Sequence, residues 1–193
     1  MNCQKTTKPT IKHSFKVHQS VTRFCLPLSR FNELPSNHGK SLHVGAFITR
    51  STDINDTKQV LLVQNNSSTD NGKSSWDIPN GKCQFGIDQT LLESIPRIIK
   101  HQTGLNVIAI KKDIKPIEYP SGISNSPNQE ICKQYNFVAE VDEKYLSQTD
   151  SPSSSSDQFQ DLNYKWVSIN ELTEFDISDI TRKVIQDGYQ DLR

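Results

Sequence analysis

The chain lacks an excess of charge: 22 Lys and Arg stand against 22 Asp and Glu, for a formal net charge of zero. A polyanion-binding surface driven by bulk charge is therefore not expected. No reader motif for nucleic acid stands out either, so no nucleic-acid partner is expected. Apolar residues are scarce at 33%, and no run reaches the length of a membrane span, so no membrane partner is expected. The four cysteines, Cys3, Cys25, Cys83 and Cys132, include no C-x-x-C pair, which speaks against a closed zinc site. The start, "MNCQKTTKPTIKHSFK", has no apolar signal segment. Reduced thiols in the cytoplasm or nucleus are the simpler reading.

What is present suits one domain with a modest core and long polar loops. Residues 1–13 read as a disordered tail and 14–193 as a single domain, with a low-complexity loop at about 147–160 around "SPSSSSDQFQ". Ser14 to Leu28 looks strand-like, with alternation in its last part, and is followed by a connector with room for a short helical turn. Strands are expected at Leu42 to Arg50 and Lys58 to Gln64, joined as a loose hairpin. "WDIP" is extended because the residue before proline is biased that way. Asp88 to Gln102 spaces Leu91, Leu92, Ile95, Ile98 and Ile99 for one apolar helix face, with Gly104 as the stop. Strands follow at "LNVIAIKKDIKPIEY", at Glu130 to Asp142 and at "NYKWVS". A terminal helix places Ile177, Ile180, Val184 and Ile185 on one side. This order predicts an α+β fold, an α/β/α sandwich with a mixed sheet covered on each side by a helix.

The stretch "WDIPNGKCQFGIDQTLLESIPRIIKHQTGL", Trp76 to Leu105, carries the most information. It resembles the signature of the Nudix hydrolase superfamily, and more closely that of the Nudix-domain proteins common in fungi. The family box reads G-x5-E-x7-R-E-U-x-E-E-x-G-U, with U a bulky aliphatic residue, after a W-x-[LVI]-P-G lead-in. "WDIPNG" matches the lead-in, with Asn80 in place of the first glycine. Gly81 matches the box glycine, Arg97 the arginine, Ile99 the aliphatic position, and Gly104-Leu105 the closing pair. "LNYKWVSINEL" is similar to the family's late strand-to-helix passage. The resemblance implies the Nudix fold over Phe15 to Gln190 and, in an active member, Mg2+ or Mn2+ held by box carboxylates against a diphosphate.

The box acids are where the sequence departs from the family. Ile98, His101 and Gln102 stand at three glutamate positions. The span from Gly81 to Arg97 is two residues longer than in the box, so the early glutamate falls on Ile87, or on Asp88 if the insertion precedes it. Pro96 lacks an N–H and is expected to bend or restart the helix, a start near Ser94 being the alternative. A hard divalent cation needs several anionic oxygens, which these residues do not supply. The box therefore reads as degenerate, with no cofactor expected, and with Asp88, Glu93 and Asp161 as the remaining candidate metal ligands. More simply, Asp88 caps the helix and Glu93 pairs with Arg97. His101 is read as serving the helix's carbonyl end, His43 as a strand residue, and Cys83 as a thiol without a neighbouring base. Trp76 and Trp166 are read as core or rim, and the serine run Ser153 to Ser156 as plain loop. Two functions follow from the resemblance. One is a non-catalytic domain that binds a nucleotide-like or phosphorylated small molecule, or a protein partner. The other is an active hydrolase of nucleoside-diphosphate-linked compounds with non-standard ligands.

Overall fold

The computed structural model describes residues 14–51, 57–65, 75–121, 129–142 and 164–190. The expected tail, the low-complexity loop, Ser153 to Ser156 and Asp161 lie outside the described residues. The chain runs β1 (Lys16–Val17), a 3-10 segment (Gln19–Cys25), α1 (Leu28–Asn32), β2 (Lys40–Ser51), β3 (Lys58–Asn65), β4 (Ser75–Asp77) and β5 (Asn80–Lys82). It continues with α2 (Leu91–Thr103), β6 (Asn106–Pro120), β7 (Ile131–Asp142), β8 (Tyr164–Ser168), a second 3-10 segment (Ile169–Glu174) and α3 (Asp179–Gln190).

The strands pair in the order β1-β6-β7-β2-β3-β4, with β5 added to β2 and β8 to β3. β2 runs parallel to β7 and β1 parallel to β6, while the other pairs are antiparallel. The sheet is mixed and flanked by helices, as the element order predicts. Successive strand residues face opposite sides, and β2 divides two cores accordingly. Val44, Ala46 and Ile48 join Leu91, Leu92, Ile95, Ile98 and Ile99 of α2. Phe47 joins Val138, Val184 and Ile185 on the α3 side.

Two local expectations are corrected. Within Ser14 to Leu28 only Lys16 and Val17 are strand, and the rest coils into a 3-10 turn. Val21 and Phe24, three residues apart, are the side chains it buries, and Phe24 meets the Phe137 ring edge-on at 5.0 Å. In α3, Ile180 is 41% exposed, and Thr181 and Gly188 are buried beside Val184 and Ile185. A Cβ on Gly188 would lie 2.6 Å from Phe47 Cδ1, so the close approach of α3 to β2 needs glycine there.

Candidate functional site

α2 starts at Leu91, not at Asp88. Thr90 is its N-cap, its hydroxyl accepting the Glu93 N–H at 3.3 Å. Glu93 reaches back to accept the Gln89 N–H at 2.9 Å. The cap expected of Asp88 thus belongs to Thr90, the first hydroxyl before the apolar face begins. Pro96 lies inside the helix, which runs through it without restarting. Its missing N–H leaves the turn beginning at Leu92 without one ladder bond. At the far end Gly104 takes the left-handed conformation (φ 72°) and its N–H returns to the Lys100 carbonyl. Lys100, not His101, serves the carbonyl end, with Nζ donating to the Gly104 carbonyl at 2.8 Å, and His101 is exposed.

Asp88 is buried while Ile87 is 66% exposed, so of the two it is Asp88 that turns inward. Arg97 grips it through both oxygens, Nε to Oδ1 and Nη2 to Oδ2, each at 2.7 Å. The Gln84 N–H and the Ser94 hydroxyl donate to Oδ2 at 2.7 and 2.8 Å. Burial pushes the carboxyl up, but these donors outweigh it and hold Asp88 below the usual carboxylate range. The same hydrogen bonds hold the Arg97 guanidinium up. The expected Glu93–Arg97 ion pair gives way to this one because a preformed, nearly desolvated carboxylate is the stronger acceptor for a planar two-pronged donor.

Of the three residues at the expected glutamate positions, Ile98 and Gln102 face β5 while His101 is exposed. Gln102 donates Nε2 to the Asn80 carbonyl at 2.9 Å. Ile98, buried at 6% exposure, packs on Gly81. Arg97 also donates Nη2 to the Lys82 carbonyl at 3.0 Å. Cys83, next in line, is buried, and burial pushes its thiol up to about 12. A thiol so protonated is a poor nucleophile at neutral pH. Among the described residues, no three His, Cys, Asp or Glu side chains group as if to hold a metal ion.

The opposite face of the same strands carries a polar cluster that sequence reasoning missed. Gly45 is in register with Asn80 on one side and Asn136 on the other. Gln134 donates Nε2 to Asn136 Oδ1 at 2.7 Å, and Tyr119 donates its hydroxyl to Gln134 Oε1 at 3.1 Å. A Cβ on Gly45 would lie 2.3 Å from Asn136 Oδ1, so a glycine inside the "HVGAF" strand was the available signal. His43 lies beside Gln134 in the ladder, and burial lowers its pKa. Nearby, Asp77 Oδ1 accepts from the Thr181 hydroxyl at 2.6 Å and the Ile78 N–H at 2.8 Å, tying the lead-in strand to the start of α3. Burial nevertheless pushes the Asp77 carboxyl up. Trp76 packs against Phe175 at 5.5 Å, and Arg50 stacks over Trp166 at 4.5 Å, so both tryptophans are engaged in packing.

A mixed sheet flanked by α2 and α3, with a glycine turn delivered to the side of α2, defines the class as an α/β/α sandwich. Residues 40–188 match the NUDIX domain, and the chain belongs to that family. No curated protein matches it. Among solved structures it resembles the NUDIX domain of Shewanella oneidensis NrtR complexed with ADP ribose, at 17% identity and a TM-score of 0.56, over 85% of this chain and 96% of that one. It also resembles a NUDIX hydrolase from Nitrosomonas europaea, at 17% identity and a TM-score of 0.52, over 80% and 91% of the two chains. Shewanella NrtR complexed with a 27mer DNA is similar at 18% identity and a TM-score of 0.53, over 78% of this chain and 61% of that one. This last likeness corrects the expectation of no nucleic-acid partner: a protein containing this fold is solved on DNA, so a balanced total charge does not exclude one. Charge summed over a chain says nothing of its distribution. Among the described residues, no helix is long and apolar enough to cross a membrane.

Proposed function

We propose that this chain is a Nudix-fold binding protein without hydrolase chemistry, taking a nucleotide-like or otherwise phosphorylated small molecule. One observation carries the reading. The buried carboxylate of the box region, Asp88, is consumed by Arg97, Ser94 and the Gln84 amide, and the glutamate positions beyond Arg97 hold Ile98, His101 and Gln102. Mg2+ and Mn2+ prefer several anionic oxygens. The donor set facing β5 offers a hydrocarbon and one neutral amide already bonded to Asn80. It does not fit either cation, and no hydrolytic step is derived through one. Of the other two candidate acids, Glu93 accepts from the Gln89 N–H and Asp161 lies outside the described residues.

The ligand class rests on the family and on the NrtR domain complexed with ADP ribose. The test is calorimetric titration of ADP-ribose into the protein in chelator, alongside an assay for AMP release in Mg2+ and in Mn2+. Binding in chelator with no AMP released in either metal is the expected result. Metal-dependent release of AMP would overturn the reading in favour of an active hydrolase.

A further inference from the structure

Each residue of β5 is held by a different side chain of α2. Gln102 bonds the Asn80 carbonyl at 2.9 Å, Ile98 packs on Gly81, and Arg97 bonds the Lys82 carbonyl at 3.0 Å. The three holds are of different kinds: a neutral amide, a hydrocarbon and a guanidinium. Two of them stand where the box would place glutamates.

A glutamate at 102 would bring a carboxylate oxygen to the Asn80 carbonyl, one acceptor against another. Two acceptors need a shared proton or a cation between them. A carboxamide brings its own donor, so the same gap closes by a direct hydrogen bond. Gln102 Oε1 is buried without a partner, so a carboxylate there would find no second donor to settle it. At Gly81 the absent Cβ gives Ile98 its seat, since an added Cβ would lie 3.2 Å from Ile98 Cδ1. The aliphatic chain fills space on the turn that a charged side chain could occupy only with counter-charge or water.

We infer that Gln102 is a positioning residue that replaces a cation: its amide, with Ile98 on Gly81, locks the lead-in turn to α2 so that the turn–helix junction needs no metal to hold its shape. The substitutions at the box therefore supply direct contacts to β5 and are not simply losses. This goes beyond the binding reading and does not depend on which ligand the chain takes. ADP-ribose binding in chelator tests that reading separately.

The experiment is thermal unfolding of the full chain and of Gln102→Glu, each in chelator and in millimolar Mn2+. The wild-type midpoint is expected to be the same in both. Gln102→Glu is expected to melt about 3–10 °C lower in chelator, from an unpaired acceptor in a domain of this size, and to stay lower in millimolar Mn2+, since one carboxylate beside Ile98 does not make a site for it. A second variant, Gln102→Met, removes the donor without adding charge and covers the case in which Gln102→Glu does not fold. It should melt about 2–6 °C lower with no response to Mn2+. Three results would each overturn the inference: a wild-type midpoint raised by Mn2+, a Gln102→Glu midpoint equal to wild type in chelator, or a Gln102→Met midpoint equal to wild type.

Discussion

Asp88 and Asp77 are two buried carboxyls with opposite responses to pH. Asp88 is held below the usual range by Arg97, the Gln84 amide and Ser94, in spite of its burial. Its contribution to stability is therefore present above the unfolded carboxylate value and lost as pH falls through the lower folded value. Arg97→Met leaves the charge buried and unpaired. It should cost roughly 2–4 kcal/mol near neutral pH, below the full cost of a buried pair because Arg97 is partly exposed. It should also reverse the sign, with stability now falling as pH rises above about 4. Urea unfolding across that range measures both effects. Asp77 behaves in the opposite way, because burial raises its carboxyl above the ordinary value in spite of its hydrogen bonds to Thr181, Asn80 and Ile78. The folded state thus holds its proton more tightly than the unfolded one, and stability drops as pH rises from the unfolded value through the folded one. Asp77→Asn keeps an acceptor for Thr181 and should abolish that drop, leaving the variant at least as stable as wild type at pH 7. The sequence put Asp88 among the candidates but gave it the wrong partner. The distance in the chain from Asp88 to Arg97 matches no helical i,i+4 pairing, and only the loop turning back through Gln84 brings them together.

At the scale of elements, α2 shows how far patterning carries. Its five apolar residues, its stop at Gly104 and its packing face were legible because a 3.6-residue period leaves one buried stripe. Its start was not, because Thr90 and Asp88 are both plausible caps and only backbone geometry chooses between them. The proline was expected to bend or restart the helix, yet the stripe buried against β2 keeps the helix running through it. Pro96→Ala should restore a ladder bond and stabilise the protein by about 1–3 kcal/mol, read as a higher urea midpoint at unchanged slope. In α3 two residues were misplaced: Ile177 precedes the helix and bridges to Trp76, and Ile180 faces outward. The helix meets β2 through Gly188 on Phe47, which rotates Ile180 outward. Gly188→Ala should cost about 1–3 kcal/mol by forcing the two elements apart, although alanine is the better helix former. Ser14 to Leu28 misled in a similar way: alternation over so short a stretch fits a strand and a tight turn equally, and burial of Val21 and Phe24 together selects the turn.

Across the whole molecule, β2 is the strand both cores share, and β7 lies along it in parallel register from Lys40–Ile131 to Ile48–Ala139. Amides of β2 and β7 should exchange with solvent only on global unfolding, while those of the short outer strands β1 and β4 exchange through local opening. Hydrogen exchange followed by mass spectrometry would rank them. The sequence by itself determined the class of the fold, the two helices and the face of α2, and the residues standing at the box positions. Period and turn chemistry are local, and so are readable along the chain. Tertiary structure alone decided which acceptor Arg97 would choose, that Gln102 would reach Asn80, and that Gln134 and Asn136 would close over Gly45. Each of these joins residues distant in the chain or set opposite one another by strand register, and a one-residue slip of β7 would turn Gln134 and Asn136 to the other face.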